Sequence, residues 1–176
     1  MSVSDERQVA EAIAVFARYG FRKASMDDVA AAFGLSRQGL YKRFGSKESV
    51  FRWVIDQALA AAHLGAMTAL ADKGVPREER LVRAFDQWAG QYVDILRSSP
   101  HAVEILGMAK ADQSAETLSA ETAVLDAMAR TIGGDADLAT EQVYALNWAS
   151  KGLMMFVASR ADYLAAMTRI IAIVLR

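Results

Sequence analysis

The chain has no cysteine, only two prolines and only two histidines among its 176 residues. The lack of cysteine excludes disulfides, thiolate zinc sites and a cysteine nucleophile. It also agrees with a reducing compartment, so the cytoplasm is the expected location. His63 and His101 are isolated in the sequence, and we therefore expect no metal site. With two prolines and no strand-like alternation of apolar and polar residues, the fold class is predicted to be all-α.

Signals of membranes and of catalysis are also missing. No apolar run approaches the roughly 18 residues of a membrane span, so no membrane partner is expected. The sequence has no glycine-rich phosphate loop after a strand. Its paired acids, such as Asp27-Asp28 and Glu78-Glu79, occur at predicted helix starts, where the helix dipole accounts for them. We therefore expect neither an enzyme nor a cofactor, and a helical enzyme is the less favoured alternative.

Charge is unevenly distributed along the chain. The formal net charge is −1, but residues 1–53 hold nine Lys or Arg against six Asp or Glu, a net charge of +3, and the remainder carries −4. Such asymmetry is typical of a chain of which one part faces phosphates. The sequence predicts two domains, residues 1–53 and residues 54–176. The predicted helices lie at about 4–19, 26–33, 37–44, 47–70, 77–98, 101–111, 114–132, 138–159 and 161–175.

Residues 25–44 have the pattern of a helix-turn-helix, with two short amphipathic helices joined at a glycine. Ser25 and Ser36 are placed to cap the two helices, and Asp28 completes a capping box with Ser25. When Leu40 and Phe44 face inward, the polar side chains of the second helix face outward. No acidic residue occurs from position 29 to position 47, where four cationic residues lie: Arg37, Lys42, Arg43 and Lys47. A surface with charge of one sign suits the DNA backbone.

These residues resemble the N-terminal module of the TetR family of bacterial repressors over about residues 5–53. The resemblance is carried by short motifs at the helix ends: Gly20-Phe21, Ser25-Met26-Asp27-Asp28-Val29-Ala30, Gly34-Leu35-Ser36, Leu40-Tyr41, Phe44 and Ser46-Lys47-Glu48. Beyond them the chain agrees with the family in length, in helical character and in a Gly152-Leu153 pair within a penultimate apolar helix. The family often has a histidine and an aromatic residue among the positions of Lys42 and Arg43, and this departure leaves the operator sequence open.

The resemblance implies that the helix from Arg37 to Phe44 enters the major groove. Four residues would then lie near base edges: Arg37, Gln38, Gly39 and Lys42. Four others would contact phosphates: Ser25, Tyr41, Arg43 and Lys47. An arginine can bridge guanine O6 and N7, and a glutamine can bridge adenine N6 and N7. The alternatives are that Tyr41 packs against the first helix and that Lys42 and Arg43 form an ordinary solvated face.

The C-terminal part is predicted to form a helical domain for ligand binding and dimerisation. Its last two helices are apolar nearly all round, in residues 152–158 and 170–175, and a helix of that kind buries more than one face. We therefore expect a homodimer through these two helices, with a well-packed single-chain core as the alternative. Large apolar side chains, together with the polar residues Asn147 and Lys151, predict a pocket for a small apolar effector. Its predicted lining residues are Phe85, Trp88, Tyr92, Met108, Met128, Asn147, Trp148, Lys151 and Met154.

The expected function is a sequence-specific, DNA-binding transcriptional regulator. It is most simply a repressor that binds a palindromic double-stranded operator as a dimer and is released by its effector. Most of the pocket residues would serve equally well as core, and Lys151 could pair across the dimer. A regulator controlled by a protein, or without any ligand, is therefore the alternative.

Overall fold

The structure is a computed structural model that describes residues 3–111 and 115–176. In these ranges it is all-helical, which confirms the predicted fold class. The helices are α1 Val3–Lys23, α2 Met26–Ala32, α3 Arg37–Phe44, α4 Lys47–Ala71, α5 Arg77–Trp88, α6 Val93–Ser98, α7 Ala102–Ala111, α8 Ala115–Ile132, α9 Ala136–Phe156 and α10 Arg160–Val174. A 3-10 turn at Gly90–Tyr92 stands between α5 and α6. The predicted helix start at residue 114 lies outside the described residues.

The helix ends follow local sequence signals. Gly20 lies at φ 75° and interrupts α1 where the sequence predicts its end, and Gly34 lies at φ 65° after α2. These positive φ angles suit glycine, which has no Cβ to clash. The predicted cap at the start of α4 is also present, because the Ser49 amide donates to Ser46 Oγ at 3.1 Å. Short-range chemistry therefore sets the helix boundaries of the N-terminal region.

The first compact unit comprises the chain up to Leu59 together with the segment around α7. It thus contains α1, α2, α3 and the first half of α4. The segment around α7 docks on α1, where Ser99 Oγ donates to the Ala17 carbonyl at 2.7 Å and His101 approaches Gly20. The sequence placed this segment in the second domain, and its partners on α1 lie about eighty residues away in the chain. The domain limits 1–53 and 54–176 stay a prediction.

The second compact unit comprises residues 60–97 and the described residues from 115 onward. α10 packs against α5 and α9, and α8 packs against α9 and α5. Its core is built from fully buried side chains that include Phe85, Met128 and Tyr163. An ion pair fixes the start of α10, because the Arg160 guanidinium holds the Asp86 carboxylate through Nε–Oδ1 at 2.8 Å and Nη2–Oδ2 at 2.5 Å.

The prediction of one continuous helix over residues 77–98 is wrong, because the 3-10 turn at Gly90–Tyr92 separates α5 from α6. The Tyr163 ring occupies the space beside Gly90, where a Cβ would come within 2.7 Å of a ring carbon. The Tyr163 hydroxyl is tied to Ser150 Oγ at 2.6 Å and to the Phe85 carbonyl at 3.3 Å. Burial raises the pKa of this hydroxyl to about 12, so it keeps its proton at physiological pH. A contact from a distant helix therefore decides this boundary.

One helix, α4, is long and apolar enough by length and composition to cross a membrane. It has 25 residues and an 18-residue window of mean hydropathy 1.3, of which 28% is buried. The expectation that no segment approaches these limits is therefore wrong. The buried positions of α4 recur every three or four residues, as in a helix that packs one stripe inside a bundle: Val50, Phe51, Val54, Ala58, Ala62, Ala66 and Leu70.

Candidate nucleic-acid interface

The helix-turn-helix is held by two serine caps. Ser25 Oγ accepts from the Asp28 amide at 3.1 Å, and the Asp28 carboxylate accepts from the Ser25 amide at 3.0 Å, so the predicted capping box is present. The Ser25 hydroxyl, followed by the Ser25 backbone amide, lowers the pKa of Asp28 by donating to its carboxylate. Ser36 Oγ accepts from the Gly39 amide at 3.1 Å and caps α3. Both short helices therefore start at defined residues.

The inner side of α3 is anchored by apolar and aromatic contacts. Leu40 is fully buried, as the sequence predicts. Phe44 packs against Phe33 and Trp53, with ring centroids 5.5 Å apart in both pairs, and these three residues form the aromatic cluster. Aromatic pairs at these separations add to the free energy of burial. The contacts fix which face of α3 points away from the protein.

Arg43 is bound to the aromatic cluster rather than extended from it. Its guanidinium carbon lies 4.8 Å from the Phe44 ring centroid and 5.2 Å from that of Trp53. Arg43 Nη1 also donates to Gln8 Oε1 at 3.3 Å, and Gln8 Nε2 donates to the Phe33 carbonyl at 3.1 Å. Gln8 on α1 thus connects the ends of α2 and α3. The Arg43 side chain is still exposed, so contact with a phosphate stays a prediction.

The outer side of α3 is polar and cationic. Arg37, Gln38 and Lys42 are exposed, and Gly39 between them is half-buried. A Cβ at Gly39 would come 3.3 Å from Ser36 Oγ, so the glycine leaves room at the start of the helix. Within the part of the chain that the structure describes, the side chains of Gln38 and Lys42 have no hydrogen-bond partner. The four predicted base-edge residues thus all reach the surface of α3, and the surface that they form is called here the recognition face.

Arg37 and Tyr41 occupy neighbouring turns of α3. Arg37 Nη1 donates to Asp27 Oδ2 at 2.8 Å, and its guanidinium carbon lies 5.7 Å from the Tyr41 ring centroid. Tyr41 is 41% exposed and its side chain also interacts with Arg37, so a phosphate contact from Tyr41 stays a prediction. Ser25 is exposed as well. Two of the predicted phosphate contacts therefore lie at the surface of the same helix-turn-helix.

Lys47 has a second role that the sequence did not indicate. Its ammonium donates to the Arg22 carbonyl at 3.2 Å and to the Ala24 carbonyl at 2.9 Å. The same ammonium lies 4.8 Å from the Phe21 ring centroid. Lys47 therefore holds the connection between α1 and α2. A contact between Lys47 and a phosphate stays a prediction. It would involve the same ammonium group that already donates to the Arg22 and Ala24 carbonyls.

Replacement of Lys47 is expected to cost stability as well as DNA affinity. Lys47→Met keeps the apolar stem but removes both hydrogen bonds, so it should lower the free energy of unfolding by about 1–2 kcal/mol. Lys42→Met is the matched control on the recognition face and should change it by less than about 0.5 kcal/mol. Urea unfolding followed by circular dichroism measures both. Equal stability of the two variants would contradict the structural role of Lys47.

The predicted pocket residues differ widely in burial among the described residues. Phe85 and Met128 are fully buried in the second unit, and Asn147 is 5% exposed. Trp148 is 71% exposed, and Lys151 Nζ pairs with Glu121 Oε1 at 2.8 Å. The remaining predicted lining residues are half-buried: Trp88, Tyr92, Met108 and Met154. Of these, Met108 belongs to the first compact unit.

A small cleft occurs within the first unit, between α4 and α7. It is lined by Phe51, Arg52, Ile55, Asp56 and Ala109 and has a volume of about 10 Å³. That volume accommodates a single water molecule. An effector pocket among the predicted residues therefore stays a prediction.

Sequence reasoning missed three side chains that support the recognition face. Asp27, Gln8 and Trp53 contact Arg37, Arg43 and Phe44 respectively, each from another helix. For Gln8 and Trp53 the sequence gives no direct signal, since any polar or aromatic residue at those positions fits the helical pattern. For Asp27 the signal was present, because it is the exposed acid of the Asp27-Asp28 pair that does not serve the capping box.

Comparison with known proteins agrees with this geometry. Residues 9–54 match the family model described as bacterial regulatory proteins, tetR family. A stretch of 67 residues is 31% identical to an uncharacterized HTH-type transcriptional regulator, YezE of Bacillus subtilis (strain 168). That stretch covers 38% of this chain and 34% of YezE, so the likeness spans about a third of the relative.

Solved structures extend the likeness of fold to the whole chain. The TetR family transcriptional regulator PfmR from Thermus thermophilus has a TM-score of 0.65 at 17% identity, covering 94% of this chain and 97% of PfmR. A TetR-like transcriptional regulator from a Rhodococcus species has a TM-score of 0.65 at 20% identity, covering 98% of this chain and 95% of that one. Residues 9–54 therefore match the tetR family model of bacterial regulatory proteins, and the chain as a whole has the all-helical fold of TetR-type structures.

Proposed function

We propose that this chain is a sequence-specific DNA-binding transcriptional regulator that reads the major groove with the recognition face of α3. The observation that carries the proposal is the combination of an anchored inner side and a free outer side on this helix. Leu40 and the aromatic cluster fix the helix, while Gln38 and Lys42 stand in solvent without protein partners among the described residues. Side chains of these types, presented on a short helix, match the donor and acceptor pattern of base edges.

A second copy of the chain is the proposed partner of α9 and α10. In a single chain these helices expose large apolar side chains: Leu138, Tyr144, Trp148, Met155, Phe156 and Ile173. Trp148 is 71% exposed and Phe156 is 87% exposed, which is costly in water. A dimer would cover them and would present two recognition helices about one DNA turn apart, as a palindromic operator requires.

Gly152 on α9 supports the same proposal. It is exposed within the helix, and apart from its chain neighbours and the adjoining helix backbone no described atom lies within 4 Å of the position that its Cβ would take. A glycine inside a helix costs roughly 1 kcal/mol relative to alanine, and nothing in the described part of a single chain offsets that cost. Close approach of a helix from a second copy would account for it, because small residues allow helix backbones to come together. Trp148, Gly152 and Met155 lie one turn apart along this face.

Release by a small apolar effector completes the proposal. The fold places many apolar side chains in the second unit, of which Trp88 and Met154 are half-buried against its core, and methionine adapts readily to irregular ligands. Effector binding would act on a repressor in the cytoplasm by changing the separation of the two recognition helices. In the alternative, a protein partner or no ligand controls the dimer. The two differ in whether small apolar molecules raise the melting temperature of the purified protein.

Selection of duplexes from a random pool tests the role of the recognition face. We expect the wild type to enrich an inverted repeat, and we expect Gln38→Ala to relax the preference at a few base pairs while leaving the others unchanged. The loss should be roughly 5- to 150-fold at the affected pairs, since a bidentate contact discriminates by about 1–3 kcal/mol. Gln57→Ala on α4 is the matched control. A Gln38→Ala variant with wild-type preferences at every base pair would contradict the assignment.

A further inference from the structure

An ion pair crosses the turn of the helix-turn-helix and holds one of the predicted base readers. Asp27 lies in the first turn of α2, and Arg37 is the first residue of α3. Their closest oxygen and nitrogen are 2.8 Å apart, and the side chains of Arg37 and Asp27 are 58% and 62% exposed. The same guanidinium also lies over the Tyr41 ring, with its carbon 5.7 Å from the ring centroid. Arg37 is therefore held by two protein contacts although its side chain is exposed.

Stability does not account for this pair. Ion pairs that are this exposed contribute roughly 0–1 kcal/mol to folding, because water screens the charges and the long side chains lose freedom. Both helices are already anchored by the buried Val29 and Leu40, which lie on their inner sides. The ion pair matters instead for two other reasons. It restrains the guanidinium of Arg37, and it places the negative charge of Asp27 beside the recognition face.

An unrestrained arginine next to DNA tends to bind phosphate, since phosphate contacts dominate non-specific affinity and carry no sequence information. Asp27 uses one Nη group of Arg37 and keeps the guanidinium over the first turn of α3. The N–H groups that Asp27 and Tyr41 do not use remain for a planar, two-point contact. The carboxylate of Asp27 also repels phosphates wherever the base contact is not made. Both effects favour a cognate duplex over all others.

We infer that Asp27 is a positioning residue for specificity, which directs Arg37 to a base edge and weakens the binding of non-cognate DNA. The inference rests on the proposed DNA-binding function. It predicts that loss of the Asp27 charge raises affinity for random DNA while it lowers discrimination at the base pair that Arg37 reads. A merely structural role for Asp27 would instead weaken binding to every duplex alike.

The experiment compares purified wild type with Asp27→Asn, Arg37→Ala, the double variant and Glu48→Gln. Glu48 is an exposed acid in the first turn of α4, so its replacement changes the net charge equally without touching Arg37. Each protein selects from a random duplex pool, and binding to the enriched duplex, to its single-base-pair variants and to a scrambled duplex is then measured against salt. Thermal melting should place Asp27→Asn within about 2 °C of wild type.

We expect Asp27→Asn and Arg37→Ala to lose preference at the same base pair, by at least about fivefold, and we expect no further loss in the double variant. Asp27→Asn should also bind the scrambled duplex more tightly, with a salt slope steeper by up to about one. Glu48→Gln should keep wild-type preferences. If Asp27→Asn keeps the preference that Arg37→Ala loses, or if Arg37→Ala loses none, the role of Asp27 is overturned. A wild type that enriches no duplex contradicts the proposed function itself.

Discussion

Trp148→Glu should convert the protein to a monomer and weaken its binding to a two-half-site duplex by at least about 100-fold. The reason is that a carboxylate in an apolar interface loses its hydration, while the neighbouring cation, Lys151, is already paired with Glu121. A monomer then binds each half-site alone and loses the effective concentration that linkage of two recognition helices provides. Sedimentation equilibrium measures the association state, and titration of a labelled duplex measures the affinity.

The matched control for this variant is Leu64→Glu on α4. Leu64 is 67% exposed, close to the 71% of Trp148, but it does not lie on α9 or α10. We expect Leu64→Glu to stay dimeric and to bind DNA as the wild type does. Wild-type association and affinity in Trp148→Glu would rule out the proposed interface, and monomerisation by both variants would show that the effect is not specific to it.

Phe16→Ala should destabilise the first compact unit by about 3–5 kcal/mol. Phe16 is 1% exposed, and its ring centroid lies 5.2 Å from that of Phe51 and 6.0 Å from that of Phe21. Truncation leaves a cavity between α1 and α4 and removes the edge-on aromatic contact. Because α1 carries Gln8 and supports the helix-turn-helix, specific DNA binding should be lost at temperatures at which the wild type still binds.

Hydrogen exchange of the α1, α2 and α3 amides, measured together with urea unfolding, checks this result. Tyr19→Ala removes an aromatic side chain from the same helix, but Tyr19 is 37% exposed, so it should cost less than about 1 kcal/mol. The amides of the second unit serve as an internal reference in both variants. Equal protection of α1 in Phe16→Ala and in the wild type would contradict the packing described for this unit.

The features that the sequence predicts correctly depend on residues within a few positions of one another. Ser25 and Asp28 can cap only the helix that follows them, and Gly34 adopts its positive φ wherever the chain must turn between two short helices. The buried Leu40 follows from helical spacing alone. The exposure of the polar side chains on the outer side of α3 was therefore predictable before any tertiary contact was known.

The features that the sequence did not reveal all depend on distant partners. The break at Gly90 is set by the ring of Tyr163, 73 positions further along, and Lys47 finds its carbonyl partners at the end of α1. Likewise α7 docks on α1 through Ser99 and His101. Composition cannot separate a pocket wall from a core, because Phe85 suits both equally well. Hydrophobic pattern thus predicts that a helix is buried but not which neighbour covers it.

The central claim is that the outer side of α3 lies in the major groove of DNA. Dimethyl sulfate protection on the enriched duplex tests it most directly, because the reagent methylates guanine N7 in the major groove and adenine N3 in the minor groove. We predict protection of guanine N7 in both half-sites, lost at single positions in Arg37→Ala, with adenine N3 still reactive there. Protection confined to adenine N3, or guanine N7 reactivity unchanged by bound protein, would contradict the account.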